Sequence, residues 1–331
     1  FRKQAPAPAD EDRSVAAFFR AHYGQEAVDY LAEPLLSGVY GGNPEKLSAQ
    51  SVLARFVEIE HKHGSLSRGV LRERKAAAPR GPAGPLFLAL RDGMGSLVRH
   101  LEAAIGPENF RFRTPVHRLE RSGDSYLLQL DQQTIAAGQV ILALPAYASG
   151  ELLSGLDTEI ASLLQRIPYN SSATVALVYD ANRLPHLPEG FGFLVPKRER
   201  HTLVAATYVQ NKFPHRVPDG KVLIRCFVGS AAEDNQALRD DAHLIRSVRQ
   251  DLRRLTGLDA EPTAQAVFRW PKAMAQYEVG HAALIAQVRE RLSALPGLHL
   301  AGNAFEGIGI PDCIRVGEQC AASCLKALEP R

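Results

Sequence analysis

The 331-residue chain holds only four cysteines, two methionines and one tryptophan. Cys226, Cys313, Cys320 and Cys324 form no Cys-x-x-Cys pair and no grouping with histidine at zinc spacing. That leaves out a zinc finger and a disulfide scaffold, and predicts reduced, buried thiols in a cytoplasmic protein. Charge of either sign is scarce in excess: 39 basic and 36 acidic side chains leave a net charge of +3. Nothing therefore calls for nucleic acid as a partner. No run approaches the roughly 18 apolar residues of a membrane helix, and no signal peptide stands at the start. His61, His63, His215 and His281 offer no ligand set, since the first two, at i and i+2, point to different helix faces. No metal is expected. A Gly-x-Ser-x-Gly elbow and a nucleophile triad are also missing, so no catalytic acid, base or nucleophile is assigned.

What is present is a mixed α/β pattern. Val15, Phe18, Phe19, Tyr23, Ala27 and Leu31 recur at helical spacing after Ser14, a candidate N-cap. Pro34 then interrupts, and Gly38, Gly41, Gly42 and Asn43-Pro44 predict a turn. Ser48 reads as the cap of a further helix through Val52, Phe56 and Ile59. Pro79 to Pro85 reads as a loop, followed by a helix through Leu97, Leu101 and Ile105. Strands are expected at Phe110–Arg113, Val116–Arg121, Ser125–Leu130 and Gly138–Leu144, with a hairpin turn at Ser122-Gly123-Asp124. The apolar run from Val140 suits a strand buried on both faces.

The second half predicts strands at Ala173–Tyr179, Phe191–Val195, Leu203–Tyr208 and Val222–Val228. A helix at Asp241–Leu255 carries Leu244, Val248 and Leu252 on one stripe. Together they read as an antiparallel sheet with helices on one side. The chain closes with a helix near His281–Leu295, a strand at Leu298–Ala301, a Gly-rich loop and a helix that is under way by Ile314.

The most specific element is that loop, AGNAFEGIGIPDCIRVGEQCAASCL from Ala301. A strand, a glycine loop and a helix start bring unpaired backbone N–H groups to a point that ligands approach closely. The segment resembles the C-terminal flavin-binding motif of the amine-oxidase superfamily, in its protoporphyrinogen oxidase branch. Further blocks match that branch in order: LAEPLLSGVYGGNPEKLS from Leu31, GSLSRG from Gly64, IPYNSSATVALVY from Ile167, GFGFLVPKRE from Gly190, FPHRVPDG from Phe213 and FRWPKAMAQYEVGH from Phe268. They span nearly the whole chain.

The resemblance implies an α/β (α+β mixed) fold. It has an FAD-binding α/β domain, incomplete at the N-terminus, an inserted antiparallel-sheet substrate domain and a helical subdomain. The expected divisions are 1–75, helical; 76–150 and 269–331, FAD-binding; and 151–268, substrate. FAD is the implied cofactor. Val116 corresponds to the residue whose backbone meets the adenine, Trp270 to a ring beside the flavin, and Gly302 and Asn303 to positions near the ribityl chain and pyrophosphate. Ile308, Gly309 and Ile310 correspond to backbone facing the isoalloxazine. Phe191, Leu194 and Thr207 correspond to a wide apolar substrate pocket. Lys272 reads instead as a solvated surface lysine, and His281 as structural.

The implied reaction is oxidation of protoporphyrinogen or coproporphyrinogen in haem synthesis, by hydride transfer to FAD, with oxygen as acceptor. The resemblance allows a homodimer and a peripheral membrane contact. Two other readings stay open at this level: another flavin amine oxidase or desaturase, and a flavin-free binding protein. The family's Gly-x-Gly-x-x-Gly loop has no match in these residues: Gly93-Met94-Gly95 continues to Val98, and Gly307-Ile308-Gly309 to Asp312. FRKQAPAPADED, from Phe1, reads as a loop and not as a natural start. The 331-residue chain by itself is therefore expected to bind FAD weakly or not at all. Calorimetric titration checks this, and a sub-micromolar dissociation constant would contradict it.

Overall fold

The computed structural model describes residues 11–76, 88–184, 189–230 and 236–328. The expected loop from Pro79 to Pro85 and most of FRKQAPAPADED lie outside them. Three hydrophobic clusters organise what is described.

The first is helical. Ser14 caps the helix Val15–Tyr23 by accepting from Ala17 N–H at 3.1 Å, and Ser48 caps Ala49–Val52 by accepting from Ser51 N–H at 3.0 Å. Val15, Phe18, Leu36, Leu47, Ile59 and Leu66 share one core. The expected helix to Leu31 breaks at Gly24, whose φ of 86° ends the first segment. Pro34 does not interrupt. It follows a π-helical turn, Val28–Ala32, that runs into the helix Glu33–Tyr40 without leaving helical backbone, and the wider turn accommodates the missing N–H. Gly38 is helical too, and the turn begins at the left-handed Gly41.

The second cluster surrounds a parallel pair, β4 (Val140–Leu142) and β10 (Leu298–Leu300). A three-stranded antiparallel sheet joins it through Leu119 and Tyr126: β1 (Arg118–Ser122), β2 (Ser125–Gln129) and β3 (Thr134–Ala137). The Gly123-Asp124 turn between β1 and β2 is as expected. Four expectations need correction. Phe110–Arg113 is not a strand, and Arg113 there has a φ of 54°. Val116 precedes β1 in coil and is only half-buried, so it is not a core strand valine. β4 is not buried on both faces: Ile141 is 40% exposed, because no described residue packs over that side. Cys226 is fully buried, but Cys313, Cys320 and Cys324 are only partly so, being on a helix with one covered side; all four are free thiols. The helices Ala146–Leu153 and Thr158–Gln165 are additions to the expected elements. They pack on this cluster through Leu153, Ile160 and Leu164, and the expected division at residue 151 falls inside the first of them.

The third cluster lies under a five-stranded antiparallel sheet in the order β6-β7-β8-β5-β9. The strands are β5 (Tyr169–Asp180), β6 (Gly192–Leu194), β7 (Ala205–Tyr208), β8 (Lys221–Ser230) and β9 (Ala264–Ala275). β9 is not among the expected strands, since its large apolar residues Phe268 and Trp270 point away from the core and only Val267 packs against the third cluster, which leaves no alternating buried set. The helix Asp241–Thr256 covers one face of the sheet with Leu244, Val248 and Leu252, as its stripe required. Ala173, Val175, Leu177, Tyr179, Ala206, Ile224, Cys226 and Val228 meet it from the strands. Successive residues alternate across a strand, so the intervening side chains form a second face, turned towards the helix Glu33–Tyr40.

That helix is held in place by a buried charge pair. Glu33, 7% exposed, accepts from Arg200 at 2.9 and 3.1 Å and from the Lys197 N–H at 3.1 Å. Arg200 also donates to Ser37 Oγ and Val195 O. Removing one partner of such a pair strands the other charge. Glu33→Ala is expected to cost about 3 kcal/mol of stability, and Glu33→Gln less. Urea unfolding followed by circular dichroism checks this: an unchanged midpoint for Glu33→Ala would show that the pair does not anchor the helix.

Candidate active site

The site begins where β4 and β10 end. Both strands are parallel, so their carboxyl ends emerge together, the position where open α/β sheets bind ligands. From Ala301, whose N–H donates to Leu142 O at 3.0 Å, the chain enters the glycine loop. Gly302 (φ 128°) and Gly307 (φ 129°) both need the left-handed region that only glycine enters freely. A Cβ on Gly307 would also lie 2.5 Å from the Asp312 side chain.

One hydroxyl closes the loop. Tyr277 Oη donates to Asn303 O at 2.9 Å and accepts from the Gly307 N–H at 2.8 Å. Burial raises the Tyr277 pKa to about 12 against the lowering effect of the Gly307 bond, so the phenol stays protonated and can donate. Tyr277 is itself stacked on His281, with ring centroids 4.0 Å apart. Burial drives the His281 pKa down to about 4, which keeps that ring neutral. Glu306 receives Arg315 at 2.7 Å and also pairs with Arg289, so the outer side of the loop is fixed as well.

After Gly309 the helix Ile310–Leu328 starts, four residues before the position at which the sequence shows it under way. Its first N–H groups have no partner within the helix and carry partial positive charge. Ile310 is 47% exposed beside them.

β9 connects this loop to the sheet. Its pairing with β5 shifts register between Asn170 and Ser172, so Pro271, Lys272 and Ala273 bulge out opposite Ser171. Proline, which cannot donate to the ladder, suits such a place. Lys272 takes a φ of 45°, its N–H donates to Ser171 Oγ at 3.0 Å, and its exposed ammonium stands 5.8 Å from the Tyr147 ring. The bulge delivers Ala273 O to the loop, where it accepts from Asn303 Nδ2 at 3.1 Å. Trp270 is three residues upstream, 47% exposed, with Phe268 beside it at 6.5 Å between centroids.

The register settles which side chains accompany Trp270. Ser172 is opposite Trp270, Thr174 is opposite both Phe268 and Phe227, Ala176 is opposite Arg225, Arg225 is opposite Thr207, and Ala205 is opposite both Phe227 and Leu194. All lie on the face away from the sheet's core. Between this face and the helix Glu33–Tyr40 is a cleft of ≈ 300 Å³, lined among others by Gly38, Thr174, Arg225, Phe227, Trp270 and Met274. A second space of ≈ 320 Å³ adjoins it at Ser37, Gly41, Val204 and Gly229, and opens past Lys197 and His201.

Of the residues singled out from sequence, the structure brings Gly302, Asn303, Ile308, Gly309 and Ile310 into one loop. Asn303 links that loop to the strand carrying Trp270. Leu194 and Thr207 share the open sheet face, while Phe191, 65% exposed, lies just before β6 with its carbonyl bonded to the Tyr208 N–H. Val116 is on a different element, ahead of the three-stranded sheet. Sequence reasoning misses Tyr277, Phe227, Phe268 and Arg225. Tyr277 and Phe268 fall inside the FRWPKAMAQYEVGH block, but nothing local shows what their side chains touch.

The residues present suit the ring end of a flavin. They combine a helix start with free N–H groups, backbone approachable at Gly302 and Gly309, and an uncovered apolar border at Trp270, Ile310 and Leu144, the last 39% exposed.

Comparison with known proteins agrees. Residues 1–325 match the family described as flavin containing amine oxidoreductase. A coproporphyrinogen III oxidase of Bacillus subtilis is 36% identical over 96% of this chain and 68% of its own length. The chloroplastic protoporphyrinogen oxidase 1 of Arabidopsis thaliana is 27% identical over 93% of this chain and 62% of its own. A solved structure from Exiguobacterium sp. 255-15 superposes with a TM-score of 0.83 at 31% identity, over 98% of this chain and 69% of that one. Cyclohexylamine oxidase from Brevibacterium oxydans IH-35A, at 18% identity and TM-score 0.69, shares the fold, over 98% of this chain and 70% of that one. The chain belongs to the flavin-containing amine oxidoreductases. It is thus part of an FAD-dependent oxidoreductase, with the mixed α/β architecture of that family.

Tyr277→Phe would leave Gly307 N–H and Asn303 O unpartnered in a half-buried loop, at a cost of about 1–3 kcal/mol. In the full-length protein the expected result is a lower flavin-to-protein ratio with an unchanged far-ultraviolet circular dichroism spectrum. Full flavin retention would show that the clamp does not shape the cofactor site.

Proposed function

We propose that this chain supplies the substrate wall and the flavin-ring loop of an enzyme that oxidises a porphyrinogen to the porphyrin. The observation that carries the reading is the junction of two surfaces. A flat, open sheet face bearing Phe227, Phe268 and Trp270 runs into the glycine loop through the bulge at Pro271–Ala273. Relatives named for porphyrinogen oxidation at 36% and 30% identity support the substrate class.

In this reading a bound FAD would supply the hydride acceptor, and oxygen the final oxidant. The protein's own residues do the rest. Ile308, Gly309 and Ile310 present backbone to the isoalloxazine, and the helix start at Ile310 stabilises negative charge there. Gly302 and Asn303 serve the ribityl chain and pyrophosphate, and Val116 the adenine. Trp270 and Phe268 border the ring and exclude water. Phe191, Leu194 and Thr207 are not among the residues that line the described cleft; Leu194 and Thr207 extend its open sheet face beyond Arg225, where a substrate larger than the cleft would reach them, and Phe191 stands at that edge. In this reading the cofactor carries the chemistry, and the residues bind and orient.

No described helix is long and apolar enough to cross a membrane. Tyr30, Leu31, Leu35 and Val39 nevertheless form an exposed apolar row, between 46% and 58% exposed, before and along the helix Glu33–Tyr40. A peripheral membrane contact would cover it and would suit an apolar substrate.

The test is direct. The full-length protein, supplied with coproporphyrinogen III or protoporphyrinogen IX under air, is expected to produce the fluorescent porphyrin together with peroxide. Gly309→Val, whose added Cβ would stand 3.1 Å from Asp312 Oδ2 and push the loop backbone out of place for the ring, is expected to be folded, colourless and inactive. Turnover of amines with both porphyrinogens untouched would overturn the reading, and a yellow, active Gly309→Val would remove the loop from it.

A further inference from the structure

Nearly every other half-buried arginine around the three clusters has a carboxylate. Arg13 pairs with Glu60, Arg200 with Glu33, Arg249 with Glu261 and Arg269 with Asp241. Arg225 has none among the described residues. It stands on β8 in the open sheet face, between Thr207 and Ala176, and lines the cleft beside Trp270. Its guanidinium rests over Phe227 at 5.1 Å, and its Nε is buried with no acceptor among the described residues.

Its charged neighbour adds to the cost. Arg216 is near enough to repel it, and Arg216 Nε is also buried without an acceptor among the described residues, although its terminal nitrogen donates to Leu90 O at 2.6 Å. Burial and this repulsion both push the Arg225 pKa down from its usual value, burial more. A partly desolvated cation close to another cation, with no carboxylate paired to it among the described residues, is unfavourable. A carboxylate entering the cleft reverses the sign of that interaction, and guanidinium binds carboxylate in a two-point fork.

The geometry assigns to Arg225, with Arg216 adding to the field, the recognition of a substrate carboxylate at the sheet side of the cleft. The inference rests on the porphyrinogen reading above and makes it more specific. The carboxylate is a propionate of the tetrapyrrole, whose flat body lies against Phe227 and Trp270. Arg225 is then a binding and specificity residue, and its contact separates substrates by their acid groups and not by their rings.

The experiment uses the full-length flavoprotein and two probes, coproporphyrinogen III and its tetramethyl ester. Wild type is expected to prefer the free acid. Arg225→Met is expected to raise KM for the acid by about tenfold to a hundredfold, to change kcat less than KM, and to reduce the preference for acid over ester at least tenfold. Arg225→Lys, which keeps the charge but not the fork, should recover part of the loss. Flavin content and melting temperature, measured on the same samples, are expected to match wild type. An acid-to-ester preference equal in wild type and Arg225→Met would overturn the assignment of Arg225 alone. If Arg225→Met fails to fold, Arg225→Lys and Arg225→Gln carry the same comparison, and an unaltered preference in both has the same force. Failure of wild type to oxidise either probe would instead remove the porphyrinogen reading, and this inference with it.

Discussion

A single phenolic hydroxyl joins the two halves of the site. Tyr277 Oη bonds Asn303 O and Gly307 N–H, so residues four apart along the loop are tied to a side chain that follows β9 directly. The loop has few other ways to be rigid, because Gly302 and Gly307 are free in backbone conformation and Gly309 has no side chain to pack. Asn303 Nδ2 adds a second tie, to Ala273 O in the bulge of the same strand. The loop and the aromatic end of the sheet are therefore tied together at three hydrogen bonds. Burial keeps the phenol protonated and the stacked His281 ring neutral, so the clamp does not depend on pH in the ordinary range.

The sheet divides its work between two faces. One is a conventional core under the helix Asp241–Thr256, built from fully buried aliphatic and tyrosine side chains. The other carries serine, threonine, aromatic rings and an arginine, and stays open as a cleft. Leaving large apolar rings half exposed and a guanidinium unpaired opposes stability. The buried Glu33–Arg200 pair ties the helix on the far side of that cleft to the segment that follows β6. Such costs are characteristic of surfaces meant for a ligand, and they are offset by the two well-packed cores on either side.

Much of the fold is legible in the sequence alone. Ser14 and Ser48 are readable as caps, because a hydroxyl followed by helical periodicity has few other uses. The hairpin at Gly123-Asp124, the stripe of Leu244, Val248 and Leu252, and the strand–glycine–helix segment from Leu298 are legible for the same local reason. Errors arise where a local signal meets a long-range constraint. Pro34 has the look of a break but is carried through by the π-helical turn that precedes it. Val140 to Leu144 has the composition of a doubly buried strand, yet one side of β4 is uncovered. β9 escapes recognition, since its apolar residues Phe268 and Trp270 face outward.

The sequence by itself determined the class of fold, the family, and the identity of the loop from Gly302 to Ile310. These follow from glycine conformation, alternation and ordered blocks, all of which are written within a few residues of one another. Only the tertiary structure decided which face of the sheet is open, that Tyr277 clamps the loop, and that Arg225 points into a cleft. Alternation along a strand specifies two faces but not which is covered. The covering elements, Asp241–Thr256 on one side and Glu33–Tyr40 on the other, come from positions far apart in the chain, and packing alone assigns each its side.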